Sequence, residues 1–312
     1  MRIVSFLPSA TETLYELGAG SQVVGVTHEC KFPPQARKKP QIIRSSFDPD
    51  EMTARDIDNK VVELMRSGKD IYVVDENALK SVSPNLIVAQ GLCEVCSPFT
   101  KEINKAVNIL GNQPDVLILD PHDLDDILVS IMDVAEKIGK VTEGRKLVAS
   151  LQKRIDIVRN NSSSLKIKRR PKVLCVEWID PLFTAGHWVP QMVEYAGGIN
   201  GLSSAGEPSR RMEIDEALQL NPDTIVLMPC GFDIEQTFKE LPVLASNEKW
   251  KSLQAVKNGN VYAVNASAYF SKPGPRTVVG LEIMAKILHP ETSQHITVPK
   301  GSYKKINTRL LG

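Results

Sequence analysis

Three segments in the first half of the chain are echoed, in the same order, in the second half. The matched pairs are 13–20 with 191–198, 82–89 with 220–227, and 116–119 with 261–264. Each match is weak, but three weak matches in one order rarely arise by chance. The echo therefore predicts two related α/β lobes with a ligand cleft between them.

Length and composition indicate an ordinary globular protein and exclude several partners. The 312 residues are 42% hydrophobic and 24% charged, and they are enough for two domains with their own cores. A formal net charge of +1 provides no broad field for nucleic acid or an anionic membrane. No apolar run approaches the ~20 residues of a membrane helix, so neither a nucleic-acid partner nor membrane insertion is expected.

The N-terminus and the cysteines bear on the cellular compartment. Residues 1–8 hold one basic residue and a short apolar stretch, whereas a signal peptide needs a longer hydrophobic region and a small-residue cleavage site. Five cysteines without a framework spacing fit a reducing compartment. A cytoplasmic location is therefore expected, with an extracytoplasmic one as the alternative if this start is processed or engineered.

Short apolar runs without alternation are typical of parallel strands that are buried on both faces. They occur at 3–7, 23–26, 71–74, 86–89 and 116–119, and again at 172–177, 224–228 and 261–264. The predicted divisions are an N-terminal lobe at 1–120, a connecting helix at 121–160, a C-terminal lobe at 170–289 and a tail without usable periodicity at 290–312.

The segment between the lobes has apolar residues at helical spacing from Leu124 to Val158. One helix that reaches Arg159 would be ~55–60 Å long. Residues 139–144 interrupt the pattern, which leaves two ordinary helices as the alternative. We interpret the segment as a single connecting helix that holds the lobes nearly fixed.

The residues that follow the strands are candidate ligand contacts, because ligands of parallel α/β sheets bind outside the carboxyl ends of the strands. Aromatics make up 5% of the chain, and those at the strand exits are Phe32, Trp178, Trp188, Tyr269 and Phe270. This concentration favours a wide apolar ligand, although the same rings could instead pack the interface between lobes. The polar candidates for hydrogen bonds to the ligand are Ser9, Gln90, His187 and Arg276.

His28 and Cys30 on one loop, and Cys93 and Cys96 on another, leave the same lobe at the same sheet edge. If the loops meet, the four side chains could hold zinc or an iron–sulfur cluster. Redox chemistry of the Cys-x-x-Cys pair and simple buried or lining thiols are the alternatives. The chain has no dinucleotide, phosphate-binding or nucleophile-elbow motif, so a non-enzymatic protein is expected.

Six short motifs resemble those of the substrate-binding proteins that serve vitamin B12, haem and ferric-siderophore importers. They lie at 4–12, 17–20, 24–26, 84–88, 183–186 and 275–276, and the resemblance covers essentially residues 1–289. The cobalamin-binding branch of this class III family is the most similar. The resemblance implies two Rossmann-like α/β lobes joined by a single long connecting helix, with the ligand between them.

The resemblance also assigns corrin contacts to particular residues. They are Phe32, Gln90, Gly91, Trp178, Tyr269 and Phe270. Gln90 stands at a position that holds tryptophan in the cobalamin-binding branch, so stacking on that side differs.

Family members carry one acidic residue on each lobe that pairs with arginines of an ABC permease. The corresponding positions fall near Glu76, beside Asn77, and at Asp215 and Glu216. The alternative interpretation of these acids is that they are solvated residues at helix starts.

These observations predict non-enzymatic binding of cobalamin or a related corrinoid, for uptake, handling or sensing, with an ABC permease as a further partner. His28 or His187 could ligate the cobalt, or could line the site as polar groups. The second hypothesis is a haem or ferric-siderophore binder, which a site rich in Arg and Lys would favour; Lys272 and Arg276 are its candidates. The third is a metalloprotein that uses the four His and Cys residues.

Overall fold

The computed structural model describes residues 1–91, 100–111, 114–163, 170–307 and 310. Its strands are β1 (Ile3–Ser5), β2 (Val23–Thr27), β3 (Gln41–Ser45), β4 (Tyr72–Val74), β5 (Leu86–Gln90), β6 (Asp115–Leu119), β7 (Lys172–Trp178), β8 (Phe183–Thr184), β9 (Ile199–Asn200), β10 (Arg210–Arg211), β11 (Thr224–Leu227), β12 (Val261–Val264) and β13 (Tyr303–Lys305). Its helices are α1 (Pro8–Glu16), α2 (Ala54–Arg66), α3 (Glu76–Val82), α4 (Thr100–Leu110), α5 (Leu124–Lys137), α6 (Val141–Ser163), α7 (Val189–Tyr195), α8 (Ile214–Leu220), α9 (Ile234–Ala245), α10 (Glu248–Ser252), α11 (Gln254–Lys257), α12 (Ala266–Tyr269) and α13 (Thr277–Leu288), with short 3₁₀ helices at Gly20–Gln22 and Pro34–Lys38. Among the described helices, none combines the length and the hydrophobicity needed to cross a membrane.

The chain forms two compact units, each with its own sheet. The first unit contains Met1–Met52, Asp56–Pro121 and Asp125–Leu151, and the second contains Thr53–Arg55, His122–Leu124 and Gln152–Gly312. The predicted boundaries are 1–120 for the first lobe, 121–160 for the helix, 170–289 for the second lobe and 290–312 for the tail. The division differs in that the helical segment is shared between the units and the tail belongs to the second.

The first unit is built on a six-stranded sheet in the order β4-β3-β2-β1-β5-β6. Neighbouring strands pair in parallel, except β3 and β4, which are antiparallel. Every residue of β1 and β5 is buried, as expected for central strands that are covered on both faces. Successive residues of β1 enter different apolar clusters, Ile3 with Val88 and Val4 with Ile87, because alternate side chains point to opposite faces.

The second unit is built on a sheet in the order β10-β8-β7-β11-β12-β13, with β9 also paired to β7. The central strands β7, β11 and β12 are parallel, whereas β8, β10 and β13 are antiparallel to their neighbours. The core of this unit includes Leu174, Ile225, Val261 and the fully buried Trp250. Both units therefore have the α/β architecture that the apolar runs predict.

The internal echo corresponds to a repeated arrangement in the two units. The C-cap residues of α3 and α8, Ser83 and Asn221, both adopt left-handed backbone conformations, with φ of 38° and 48°. The side chains of Asn85 and Asp223 then accept a backbone N–H from the start of the neighbouring strand, at 2.9 and 2.8 Å. Each bond ties two adjacent strands of one sheet, β1 to β5 and β7 to β11.

The single connecting helix predicted at 121–160 is replaced by two helices, α5 and α6. Gly139 adopts a left-handed conformation with φ of 70°, which ends α5, and Lys140 N–H donates back to Ala135 O at 2.7 Å. A Cβ added to Gly144 in the first turns of α6 would lie 2.5 Å from Ala135 Cβ. In one straight helix these residues would be ~13 Å apart, so the chain reverses around Gly139.

The tail, for which the sequence shows no usable periodicity, is a regular part of the second unit. Its strand β13 pairs antiparallel with β12 at the edge of the sheet. Ile296 and Ile306 are buried. Lys286 Nζ, from α13, donates to Ser293 O at 3.1 Å and to Ile296 O at 2.7 Å. Pairing and burial therefore order a segment that has no helical or strand pattern of its own.

Candidate functional site

The carboxyl ends of β7, β11 and β12 lie side by side at one edge of the second sheet. Hydrogen bonds join the ends of these strands and the segments that follow them. Cys230 N–H donates to Glu177 O, and Ser267 N–H donates to Phe232 O, both at 2.9 Å. The loops that carry the predicted aromatic contacts of this unit are therefore held together at one edge.

Trp178, at the end of β7, is partly exposed and is held from two sides. Its ring centroid lies 5.2 Å from that of Phe232, with the rings edge to face at 64°. Its Nε1–H donates to Ala54 O at 3.2 Å, in the short segment that belongs to the same unit. Arg55 of that segment forms a two-point ion pair with Asp180, in which Nε donates to Oδ2 at 2.7 Å. The indole therefore has a fixed orientation and a satisfied polar atom.

Trp188 and Phe270 lie in the interior of the second unit, although both follow strands as predicted. Their side chains are 5% and 3% exposed. Trp188 Nε1–H donates to Phe270 O at 2.8 Å. Both rings therefore belong to the interior of the second unit. Their burial argues against a direct contact with a ligand.

His187 occupies a strained corner of the second unit. Its φ of 53° lies in the left-handed region, where non-glycine residues are uncommon. Its N–H donates to Glu207 O at 2.6 Å, and its carbonyl accepts Gly206 N–H at 3.0 Å. The rings of His122 and Trp188 lie 6.4 and 5.7 Å away, centroid to centroid. The half-buried imidazole lies beside these two rings, and its contact with a ligand stays a prediction.

Tyr269 and Arg276 place an aromatic ring next to a cation in the same unit. Both side chains are partly exposed. The Arg276 guanidinium carbon lies 5.7 Å from the Tyr269 ring centroid, within the range of a cation–π interaction. Lys272 Nζ donates to Ser267 Oγ at 3.4 Å. The two cations predicted for an acidic chelate are therefore present near the exits of β11 and β12.

In the first unit, the predicted contacts lie at the ends of three strands: Ser9 after β1, Phe32 after β2, and Gln90 and Gly91 at and directly after the end of β5. Ser9 and Gln90 are 3% and 6% exposed, whereas Phe32 is 37% exposed. A Cβ added to Gly91 would lie 3.2 Å from Ile118 Cγ2, so a side chain at this position would require Ile118 to shift slightly. Of these four residues, Phe32 offers the largest accessible apolar surface.

Cys30, after β2, is held by hydroxyl groups. Its N–H donates to Thr27 O at 3.1 Å, and its buried Sγ accepts the Thr11 hydroxyl at 3.1 Å. The neighbouring His28 Nε2 lies 3.7 Å from Glu29 Oε1. The thiol of this turn therefore has polar neighbours from its own unit.

The proposed partners Cys93 and Cys96 lie outside the described residues, so the four-residue metal site stays a prediction. Within the described ranges, no group of three or more His, Cys, Asp and Glu side chains could hold a metal ion. His28 and Cys30 alone do not amount to a metal centre.

Two adjoining cavities open beside the same turn of the first unit. The larger has a volume of about 600 Å³ and lies at the ends of β2 and β3, against the loop at 45–50. The smaller has a volume of about 270 Å³ and lies between the end of β2 and the helix Pro34–Lys38. His28 and Lys31 line both cavities. Sequence reasoning missed these cavities because Arg37 and Arg44, which line one each, are brought to His28 only by packing.

The acids predicted to meet a permease are each paired with a cation of their own unit. Glu76 lies 3.7 Å from the lysine one turn along α3. Lys249 Nζ contacts both Asp215 oxygens, at 2.7 and 2.9 Å. Two hydrogen bonds from Arg210 hold the pKa of the Glu216 carboxyl below its usual range. Their docking role stays a prediction, and a permease arginine would have to displace these partners.

Comparisons with known proteins agree with this architecture. Residues 3–268 match the family model described as periplasmic binding protein. A vitamin B12-binding protein of Vibrio cholerae serotype O1 is 24% identical over 285 residues, which cover 90% of this chain and 86% of that protein. An ABC transporter substrate-binding lipoprotein of Bacillus subtilis is 24% identical over 295 residues, 93% of this chain and 81% of that protein. The periplasmic haem-binding protein RhuT from Roseiflexus, solved in apo form, has a TM-score of 0.69 at 19% identity and covers 94% of this chain and 99% of its own.

The family match and the fold identify the same kind of protein. The match spans most of the chain, and both sheet-containing units agree with the solved fold. Proteins of this family bind solutes and are not enzymes. The chain therefore belongs to the periplasmic binding protein family, among the class III substrate-binding proteins.

Proposed function

We propose that this protein binds a corrinoid such as cobalamin, as the substrate-binding partner of an ABC permease. The observation that carries the proposal is the partly exposed Trp178 ring, held edge to face by Phe232 at the carboxyl edge of the second sheet. A corrin is a wide and largely apolar macrocycle, and a rigid aromatic face complements it. The similarity to the Vibrio cholerae vitamin B12-binding protein supports the same ligand class.

The second candidate is haem, which Arg276 favours. Its guanidinium lies beside the Tyr269 ring, so that one surface offers both stacking and a cation. Haem carries two carboxylates on an apolar ring, and guanidinium pairs with carboxylate through parallel hydrogen bonds. A corrin bears neutral amides at its periphery and gains less from this cation.

The test is a titration of the purified protein with cyanocobalamin and, separately, with haemin, followed by absorbance and by co-elution on gel filtration. We expect Trp178→Ala to weaken binding of the preferred chelate about 10- to 100-fold, because a buried aromatic contact contributes about 1–3 kcal/mol. Trp178→Phe keeps an aromatic ring and should lose less. Thermal unfolding of each variant checks that the fold is retained.

Three outcomes separate the hypotheses. If neither chelate is retained at micromolar concentration, binding of this ligand class is excluded. Equal affinity of Trp178→Ala and the wild-type protein would remove the aromatic edge from the site. Tighter binding of haemin than of cyanocobalamin would select the second candidate.

A further inference from the structure

The smaller cavity of the first unit, called the basic pocket below, is lined by basic side chains. It lies between the end of β2 and the helix Pro34–Lys38, and its volume is about 270 Å³. Lys31, Arg37 and His28 line it, together with the polar side chains of Thr27 and Gln41. Among the described residues, none that lines the basic pocket carries a carboxylate. The lining therefore has a charge of at least +2 at neutral pH, from Lys31 and Arg37.

The two cations are not neutralised within the described part of the chain. Neither Lys31 nor Arg37 forms an ion pair there, whereas Lys249, for example, is paired with Asp215. Arg37 is anchored by its Nε–H, which donates to Lys31 O at 2.8 Å. This bond leaves the two terminal NH₂ groups of the guanidinium, with four N–H donors, without a carboxylate partner. A planar guanidinium held in this way suits a carboxylate or a phosphate.

Hydrogen bonds within the chain order the turn that carries His28 and Lys31. Thr27 Oγ1 accepts Glu29 N–H at 3.2 Å, and Lys31 N–H donates to Glu29 O at 2.8 Å. The imidazole Nδ1 of His28 is buried and has no hydrogen-bond partner among the described residues. Its Nε2 lies 3.7 Å from Glu29, an acid that lines the larger cavity and not the basic pocket.

The basic pocket lies next to the strand ends of the first sheet, where a ligand is expected to bind. His28 and Lys31 also line the cavity of about 600 Å³ at the ends of β2 and β3. That cavity has mixed charge, because Lys31 and Arg44 line it together with the acids Glu29, Asp48 and Asp50. An anionic group is repelled by these acids and attracted to the purely basic compartment next to them. A ligand at the strand ends can thus place an acidic substituent in the basic pocket.

We propose that the basic pocket binds an oxyanion, a carboxylate or a phosphate, carried by the chelate that this protein binds. This inference rests on the proposed function, and it requires the ligand to carry a carboxylate or a phosphate. Lys31 and Arg37 supply the charge, Arg37 supplies paired N–H donors, and Gln41 is a further polar partner.

The experiment compares each chelate with a relative that lacks its anionic groups. Haemin is compared with its dimethyl ester, in which both carboxylates are masked, and cyanocobalamin is compared with cobinamide, which lacks the phosphodiester together with the attached ribose and base. Inorganic phosphate at millimolar concentration is the third arm and probes a free anion, with amide NMR shifts of residues 27–41 as the readout. The variants are Arg37→Gln and Lys31→Gln. The matched control is Lys38→Gln, because Lys38 is exposed on the same short helix and does not line the basic pocket.

We expect the wild-type protein to prefer the anionic member of one chelate pair by about tenfold, the size of effect that one well-placed charged hydrogen-bonded contact gives. Arg37→Gln and Lys31→Gln should remove that preference, and Lys38→Gln should keep it. Equal binding of both members of each pair, together with no phosphate shift, would overturn the inference. An equal loss in Lys38→Gln would also overturn it, because the effect would then be one of overall charge.

Failure of this inference is distinguishable from failure of the proposed function. If the chelates bind but neither their anionic groups nor Arg37 matters, the inference fails and the function stands. If no chelate binds and phosphate shifts the 27–41 amides only when Arg37 is present, the anion site stands and the function fails. Absence of both kinds of binding overturns both.

Discussion

Arg154 and Glu282 form a two-point ion pair inside the second unit. Arg154 Nε donates to Glu282 Oε1 at 2.8 Å, and Nη2 donates to Oε2 at 2.7 Å. The carboxylate side chain is 11% exposed. The hydrogen bonds to Glu282 raise the pKa of Arg154, although burial opposes this. Removal of either partner would leave a poorly solvated charge, which is the costly part of such a pair.

We expect Arg154→Met to lower the free energy of unfolding by about 2–3 kcal/mol, because Glu282 loses its partner while it stays largely buried. Urea denaturation followed by circular dichroism measures the change. The matched control is Lys251→Met, whose partner Glu248 is 84% exposed, and there the loss should be below about 0.5 kcal/mol. Similar losses in the two variants would contradict the role of burial.

Residues at the strand exits show what sequence can predict at this scale. Strand ends follow from local apolar runs, so the sequence predicts that Trp178 and Tyr269 lie at or shortly after the ends of strands, and the structure has them at the end of β7 and in the short helix after β12. Their exposure is not a local property. Trp188 is buried, and its indole N–H donates to Phe270 O, 82 positions away in the chain. A contact of that kind depends on the packing of several elements, and no spacing rule reveals it.

At the scale of elements, Gly139 decides whether the inter-lobe segment is one helix or two. Its φ of 70° is readily adopted by glycine and costs other residues roughly 1–2 kcal/mol. The apolar period resumes after this position, which is why the sequence also allows one continuous helix. The periodicity reports which faces are buried, and it does not report the direction in which the second helix runs.

Whether Gly139→Ala lowers or raises the stability of the protein tests the interruption between α5 and α6. In the observed structure the substitution should destabilise the protein by about 1 kcal/mol, because alanine is strained at positive φ although no atom lies within 4 Å of its Cβ. In a continuous helix the same change would stabilise the protein by about 1 kcal/mol. Thermal or urea unfolding distinguishes the two, and increased stability would contradict the two-helix arrangement.

At the scale of the whole molecule, the two units share a plan but differ at their sheet edges. β1, β5 and β6 in one unit correspond to β7, β11 and β12 in the other, all parallel. The first sheet is extended by β2, β3 and β4, and the second by β8, β10 and β13. The second unit therefore recruits its last edge strand from the end of the described chain.

We expect Ile306→Ala to lower the free energy of unfolding by about 2–4 kcal/mol, because Ile306 is 2% exposed and packs in the core of the second unit beside β13. Leu310→Ala is the matched control from the same tail. Leu310 is 50% exposed, and its truncation should change stability by less than about 0.5 kcal/mol. If differential scanning calorimetry gave equal small effects, the tail would not be an integral part of the unit.

The sequence by itself determined the α/β class, the two related halves and most central strands, because each of these follows from apolar runs close together in the chain. Only the tertiary structure decided the remaining features. It divided the helical segment at Gly139, buried Trp188 and Phe270, ordered the tail on β12, and brought Lys31 and Arg37 together around the basic pocket. These features depend on the packing of distant elements, which local patterns do not specify.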